Sequence, residues 1–278
     1  MTTHLSNTNT LPRTARGLLT LREWTWLGSR QLAACLFGIA MLAGLMMTRN
    51  WAADSDLARS DFLFLYALCL QIALLLFRLE HRSEVIVIFA FHLLATGMEF
   101  FKTSPEIGSW RYPDQDVLFR VYQVPLFAGF LYSSVGSYIA RAWRLLDLRF
   151  THYPPVWATV SVAVLAYANF FTHHFTIDIR WFLIIASFLL FARTQVYFRT
   201  GNQYRHAPLL LGLLGLSFAI YLAENIGTFA EAWVYPDQES GWKPVGLGKF
   251  WAWYLLMLLS FVLVSLVAKP RSAEQVRS

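Results

Sequence analysis

The residues best suited to chemistry are two glutamates, Glu99 and Glu224, each near the end of a long apolar run. An ionisable group inside a bilayer costs about 2.5 to 3.5 kcal/mol on insertion scales, so it is expected to face a cavity or a partner. Each glutamate is followed about ten residues later by the pattern W-x-Y-P-D. The first copy is Trp110-Arg111-Tyr112-Pro113-Asp114 and the second is Trp233-Val234-Tyr235-Pro236-Asp237. Two such carboxyls suit acid and base catalysis, with Trp110, Tyr112, Asp114, Trp233, Tyr235 and Asp237 as binding groups around them. The competing reading is that both acids lie close enough to the surface to reach water and only terminate a helix.

Three further groups join these candidates. His92 precedes Glu99 by seven residues, and two helical turns return it to nearly the same face about 10 Å deeper; it is a third catalytic candidate or a hydrogen-bonded packing residue. Tyr221, Glu224 and Asn225 share one helix face, Tyr221 preceding the other two by three and four residues, and Tyr221 and Asn225 are candidate binding residues. His173 and His174, followed by Asp178, have the donor types to bind a metal or to shuttle protons near neutral pH, against a structural or interfacial role, and are candidate binding residues. Their spacing matches no metal motif, so neither metal nor cofactor is assigned. Phosphate loops, nucleophile elbows and dinucleotide fingerprints are absent from the sequence.

These side chains must be positioned by membrane helices. Of the 278 residues, 56% are hydrophobic and 14% charged, whereas a soluble domain carries about 25% charged residues. Apolar runs predict spans at 31–48, 61–79, 84–102, 120–140, 155–172, 179–198, 208–229 and 250–268. The fold class expected is therefore all-α, a polytopic bundle of about eight transmembrane helices. Residues 1–30 read as a basic cytoplasmic tail, 31–268 as the transmembrane domain and 269–278 as a second cytoplasmic tail. With the N-terminus inside, the inner segments hold fifteen Lys and Arg against eight outside, which favours cytoplasmic termini. The net charge of +6 is spread over these loops instead of forming a nucleic-acid-binding patch. Cys35 and Cys69 lie within apolar runs and read as small hydrophobes. In the fourth span Gly129, Ser133 and Ser137 form a small-residue face for close helix packing, and Pro125 is expected to kink its start.

The two motifs follow the third and seventh spans, which point the same way. That placement suggests a parallel repeat of two four-helix halves about an axis along the membrane normal.

The segments Phe91-His92-Leu93-Leu94, Gly108-Ser109-Trp110-Arg111-Tyr112-Pro113, Val135-Gly136-Ser137-Tyr138-Ile139, Asn169-Phe170-Phe171-Thr172-His173-His174 and Ala223-Glu224-Asn225-Ile226 resemble the bacterial domain-of-unknown-function 817 family. The resemblance covers roughly residues 60 to 268. It implies an integral protein of the bacterial inner membrane and names no activity. The glutamate followed by W-x-Y is also distantly similar to a motif of membrane lycopene cyclases and carotenoid hydratases, in which acids protonate a polyene. That likeness implies Glu99 and Glu224 as the acids, although the cyclases' proline-flanked glutamate pair is missing here.

The function expected is a cofactor-free membrane enzyme acting on a lipid or carotenoid-like isoprenoid by acid/base chemistry. Its partners are the bilayer and a hydrophobic small molecule. The alternatives are a small-solute transporter and a sensory or scaffolding membrane domain. Polar residues clustered near one face argue against a midplane transport site, and the lack of an attached soluble module weakens the sensory reading.

Overall fold

A computed structural model of the chain describes residues 13–52, 55–114, 116–201 and 203–274. Helix α1 (Arg13–Met47) leads into α2 (Arg59–Leu76) and α3 (Arg82–Lys102). A hairpin of β1 (Arg120–Val121) and β2 (Val124–Pro125) precedes α4 (Phe127–Leu145), which is followed by β3 (Arg149–Thr151), α5 (Val156–Thr172) and α6 (Arg180–Phe191). Strands β4 (Gln195–Thr200) and β5 (Gln203–Pro208) then lead to α7 (Leu209–Phe229), a 3-10 turn (Pro236–Gln238) and α8 (Gly248–Ala268).

Five of these helices, within α1, α2, α3, α7 and α8, are long and apolar enough to cross a membrane by length and composition. Their outward faces agree with that environment: Ile86, Phe89 and Leu93 form an exposed stripe along α3, where a water-soluble helix would place polar residues. The five helices mark the chain as a membrane protein. Helix α8 lies at the centre, with Tyr254, Leu255, Met257, Leu258 and Phe261 all buried, and the Tyr254 and Ser187 hydroxyls are 2.9 Å apart across the α8–α6 contact.

Helix α4 is the other central element, and its small-residue face packs as expected. The imidazole of His92 lies against Gly129, where a Cβ would approach its Cε1 within 2.4 Å, and a Cβ on Gly136 would approach the Phe91 ring within 2.6 Å. One helical turn beyond Ser133, the Ser137 hydroxyl donates to Glu80. The α3–α4 contact therefore depends on side chains small enough for the two backbones to approach.

The helix ends are fixed by side chains. Asp114 accepts hydrogen bonds from the Ser60 amide at 2.8 Å and from the Ser60 hydroxyl, holding the start of α2. Asp61, on the next residue of α2, reciprocates by accepting from the amides of Leu118 and Phe119 at 2.9 and 2.7 Å. The loop after α3 is thus tied to α2 from both directions. At the opposite end, Glu84 accepts from the His81 amide at 2.7 Å and pairs with Arg144 at 2.7 Å, linking the first turn of α3 to the last turn of α4.

The all-α expectation needs correction, because strands β3, β4 and β5 form an antiparallel sheet with Phe150 opposite Val196 and Tyr197 opposite His206. The residues after α8 join it: Phe150 donates to the Arg271 carbonyl at 2.9 Å and accepts from the Ala273 amide at 3.0 Å. Hence 269–274 of the expected C-terminal tail are partly built into the fold, and 275–278 lie outside the described residues.

The sixth span, expected over 179–198, ends as a helix at Phe191. Val196, Tyr197 and Phe198 continue its apolar run, but the run carries β-branched and aromatic residues between Gln195 and Arg199 and pairs as a strand. The fourth span starts at Phe127, seven residues after its expected start. Pro125 ends the β1–β2 hairpin and introduces no kink, as proline is tolerated at a strand end but not inside a helix. Residues 13–30, assigned to a tail, are already helical in α1, and residues 1–12 lie outside the described residues.

Candidate active site: two carboxylates on one cavity

Glu99 sits one turn from the C-terminal end of α3 and Glu224 near that of α7, with side chains pointing into the bundle at 1% and 4% exposure. The chain following each helix folds back over it and delivers the motif to its glutamate. Trp110 donates its indole N–H to Glu99 Oε2 at 3.1 Å, and Tyr112 donates its hydroxyl to the same oxygen at 2.8 Å. Trp233 donates to Glu224 Oε1 at 3.1 Å, and the Tyr235 hydroxyl donates to that same oxygen. Each W-x-Y unit is therefore a two-pronged donor for the glutamate that precedes it. A buried carboxylate needs such donors, because leaving it unsatisfied costs several kcal/mol.

Burial first, and then the adjacent carboxylate, holds Tyr112 and Tyr235 well above the ordinary phenol range. Both hydroxyls stay protonated and remain donors. Tyr132 from α4 adds a third donor to Glu99, reaching Oε1 at 2.7 Å. Gly227 seats the second cage, since a Cβ there would come within 2.1 Å of the Trp233 ring.

The two motifs also touch each other. Arg111 and Val234, their middle residues, form an antiparallel bridge, and Trp110 meets Tyr235 edge-on at 6.2 Å. The aspartates differ in role: Asp114 holds α2 as described, while exposed Asp237 pairs with Lys243 at 3.2 Å.

Both glutamates line one cavity of about 710 Å³. This is within the ~300–1,000 Å³ range of small-molecule sites. Trp110, Tyr112, Trp233 and Tyr235 line it at the glutamate level, and Cys35, Tyr138, Leu216 and Leu256 line its apolar depth. At the mouth stand Lys102, Arg180 and Lys249, with His173 and Asp237.

The remaining candidates are distributed around this cavity. His173 donates from Nδ1 to the Asn169 carbonyl at 2.7 Å, which leaves Nε2 as an acceptor facing the Lys102 ammonium at 3.4 Å. His174 Nε2 faces the same ammonium at 2.7 Å, and the two imidazoles stack 4.1 Å apart. Desolvation, and after it the Lys102 charge, lowers both histidines below their usual range, so they stay neutral acceptors for that lysine. His174 does not line the cavity. Asp178 turns away from the histidines to Asn169 and Arg180. Among the described residues no group of three or more His, Cys, Asp and Glu is arranged to hold a metal.

Tyr221 and Asn225 support the wall from behind. The Tyr221 hydroxyl donates to the Val245 carbonyl at 2.6 Å, and Asn225 Oδ1 accepts from the Val245 amide at 2.9 Å. They pin the loop that brings Val245 and Gly246 to the cavity. His92 belongs to the α3–α4 contact and is not on the cavity wall. Of these candidates, Glu99, Glu224 and His173 lie on the wall of one cavity, and His92, His174 and Asn225 do not.

Sequence reasoning missed Tyr132 and the basic mouth. Lys102 could have been found, because it follows Glu99 by three residues and shares its helix face. Lys249, Arg180 and Tyr132 reach the site only through tertiary packing.

Apolar helices surrounding a cavity with two caged acids define a helical membrane protein with a candidate site inside its bundle. Residues 23–261 match the family described as "Protein of unknown function (DUF817)", and the chain belongs to that family. It is 38% identical over 245 residues to the uncharacterized protein YoaT of Bacillus subtilis (strain 168), a match covering 88% of this chain and 91% of that protein. No solved structure matches.

Proposed function

We propose that the protein is a cofactor-independent membrane enzyme using Glu99 and Glu224 as an acid/base pair on a lipid or isoprenoid held in the cavity. The observation that carries this reading is the presence of both buried carboxyls on one largely apolar cavity, each hydrogen-bonded to the Trp and Tyr of its own motif. A substrate double bond lying between them can take a proton from one carboxyl, and the adjacent carbon of the resulting cation can return a proton to the other. The double bond shifts, no co-reactant is consumed and the pair ends with its original number of protons. The cages keep both side chains in one geometry, which is the protein's share of such catalysis. Trp110, Tyr112, Trp233 and Tyr235 serve as binding walls, and His92 as a packing residue between helices.

All eight helices are read as crossings of the bacterial inner membrane, with the termini in the cytoplasm and the motifs on the outer face. The basic asymmetry of the loops supports this topology. The two motif-bearing halves are read as a parallel repeat, supported by the equivalent duty of W-x-Y in each.

Lipid extracts of a deletion strain, complemented with wild-type protein or with Glu99→Gln or Glu224→Gln, test the reading. One lipid or isoprenoid species should accumulate in the deletion strain and in both variants. An unchanged lipid profile accompanied by altered solute uptake would assign the cavity to transport.

A further inference from the structure

The mouth of the cavity has a charge pattern that acid/base chemistry on a neutral hydrocarbon does not require. Lys102, Arg180 and Lys249 reach it from the end of α3 and the starts of α6 and α8. Lys102 is only 6% exposed, and a buried ammonium normally has a carboxylate partner. Among the described residues neither Lys102 nor Lys249 forms an ion pair with a carboxylate.

The nearby acids are engaged elsewhere. Glu99 and Glu224 take their hydrogen bonds from neutral indoles and phenols, Asp178 pairs with Arg180 and Asp237 with Lys243. Lys102 instead faces two imidazoles, and Lys249 lies over the Tyr235 ring at 3.9 Å and the Trp110 ring at 5.7 Å. The start of α8, at Gly248 and Lys249, lines the same mouth without a side-chain cap, and its dipole adds positive potential there. Below this ring the walls become apolar and run along α8 from Lys249 to Leu256, about 10 Å at 1.5 Å per residue.

We propose that the cavity binds a single-chain amphiphile with a phosphate head between Lys102 and Lys249 and its hydrocarbon chain directed toward Cys35 and Tyr138. This deepens the proposed function and rests on the same cavity. Glu224 and Asp237 act on Lys249, and Asp178 on Lys102, only from beyond ion-pair distance; a phosphate supplies a counter-charge in direct contact and several acceptors for the ammonium donors. It also anchors one end of the chain, so that a fixed segment lies beside Glu99 and Glu224. Arg180, already paired with Asp178, flanks the head.

The test uses the full chain in phosphatidylcholine nanodiscs, with farnesyl monophosphate, farnesol and inorganic phosphate as probes of melting temperature and tryptophan fluorescence. Farnesyl monophosphate should bind at least about tenfold more tightly than farnesol, and inorganic phosphate should bind far more weakly than either chain-bearing probe. Lys249→Met should lose about tenfold for farnesyl monophosphate while binding farnesol as before, and Lys249→Arg should restore the preference. Lys102→Met provides the same comparison from the other side of the mouth. Equal binding of farnesyl monophosphate and farnesol, or a phosphate preference untouched in a folded Lys249→Met, would overturn the proposal. Binding of inorganic phosphate as tight as that of farnesyl monophosphate would reduce the site to a bare anion site and overturn it too. The two readings separate cleanly: phosphate-selective binding without any lipid change in the deletion strain removes the enzyme and keeps this inference. A lipid change without phosphate selectivity does the reverse.

Discussion

Arg111 and Val234 exchange both of their backbone hydrogen bonds, Arg111 N–H to the Val234 carbonyl at 3.0 Å and Val234 N–H to the Arg111 carbonyl at 2.9 Å. Each is the middle residue of a W-x-Y unit, so the two motifs meet at equivalent positions. An antiparallel bridge between equivalent residues is locally twofold, and it locks together the loops that carry the donors for Glu99 and Glu224. Neither cage is then independent of the other.

That dependence can be measured with Val234→Pro, which removes one of the two amide donors without touching a cage side chain. Arg111 is exposed and Val234 half-buried, so losing this backbone hydrogen bond should cost about 1 kcal/mol. The melting temperature should fall, and the indole N–H signal of Trp110 in a nitrogen-15 NMR spectrum of the full set of tryptophans should shift although the substitution lies in the other motif. An unchanged Trp110 signal would show the motifs to be uncoupled.

A second prediction follows from the histidine pair. His173 and His174 are lowered from 6.5, chiefly by desolvation and with Lys102 acting in the same direction, while the hydrogen bond to the Asn169 carbonyl and, more weakly, Asp178 oppose the shift of His173. A depressed histidine pKa means that the unfolded chain takes up protons first as pH falls. Their contribution to stability is therefore full above about pH 6.5 and declines as the pH drops below it. Melting temperature measured from pH 8 to pH 5, a window around the reference pKa, should decline across the lower half of that range. The double substitution His173→Gln, His174→Gln should flatten the decline, and a wild-type curve without it would refute the assignment.

Much of the site was legible in the sequence because it was written locally. A glutamate near a helix end and an aromatic donor pair about ten residues later are joined by one turn of chain, so spacing alone pointed to Glu99 with Trp110 and Tyr112. The same holds for Glu224 with Trp233 and Tyr235. The small-residue face of α4 was legible for the same reason, through its four-residue period. What spacing could not supply was the partner across the bundle. The third donor to Glu99 comes from Tyr132, and the basic mouth draws on three separate helices. His92 misled because sharing a face with Glu99 over two turns does not ensure sharing a neighbour: α4 covers the deeper turn. Apolar content also failed to distinguish helix from strand over 195–198, where the run is short and rich in β-branched and aromatic side chains.

The proposed topology makes a third prediction. Cysteine-accessibility or reporter fusions within 105–116 and 232–246 should place both loops on one side, opposite the β4–β5 hairpin. The bridge between Arg111 and Val234 requires the first part, since two segments separated by a bilayer cannot exchange backbone hydrogen bonds. Labelling of the hairpin from the same side as the motifs would remove α7 from the set of crossings.

The last prediction separates chemistry from support. Glu99→Gln keeps a side chain of nearly the same shape and still accepts hydrogen bonds through its amide oxygen, but it cannot give up or take a proton as a carboxyl does. If Glu99 and Glu224 are the reacting acids, either glutamine variant should lose at least about a hundredfold in lipid turnover, the scale of a general acid or base, at normal membrane abundance. Trp110→Ala and Trp233→Ala remove an indole that both donates to a glutamate and packs in its cage. Each should cost about 3–5 kcal/mol of stability and lower abundance or melting temperature before it lowers activity per folded molecule. Activity per folded molecule and melting temperature, measured on the same four purified proteins, decide the matter. Fully active glutamine variants beside stable but inactive tryptophan variants would move the chemistry to the loops and leave the buried carboxyls as structural acceptors.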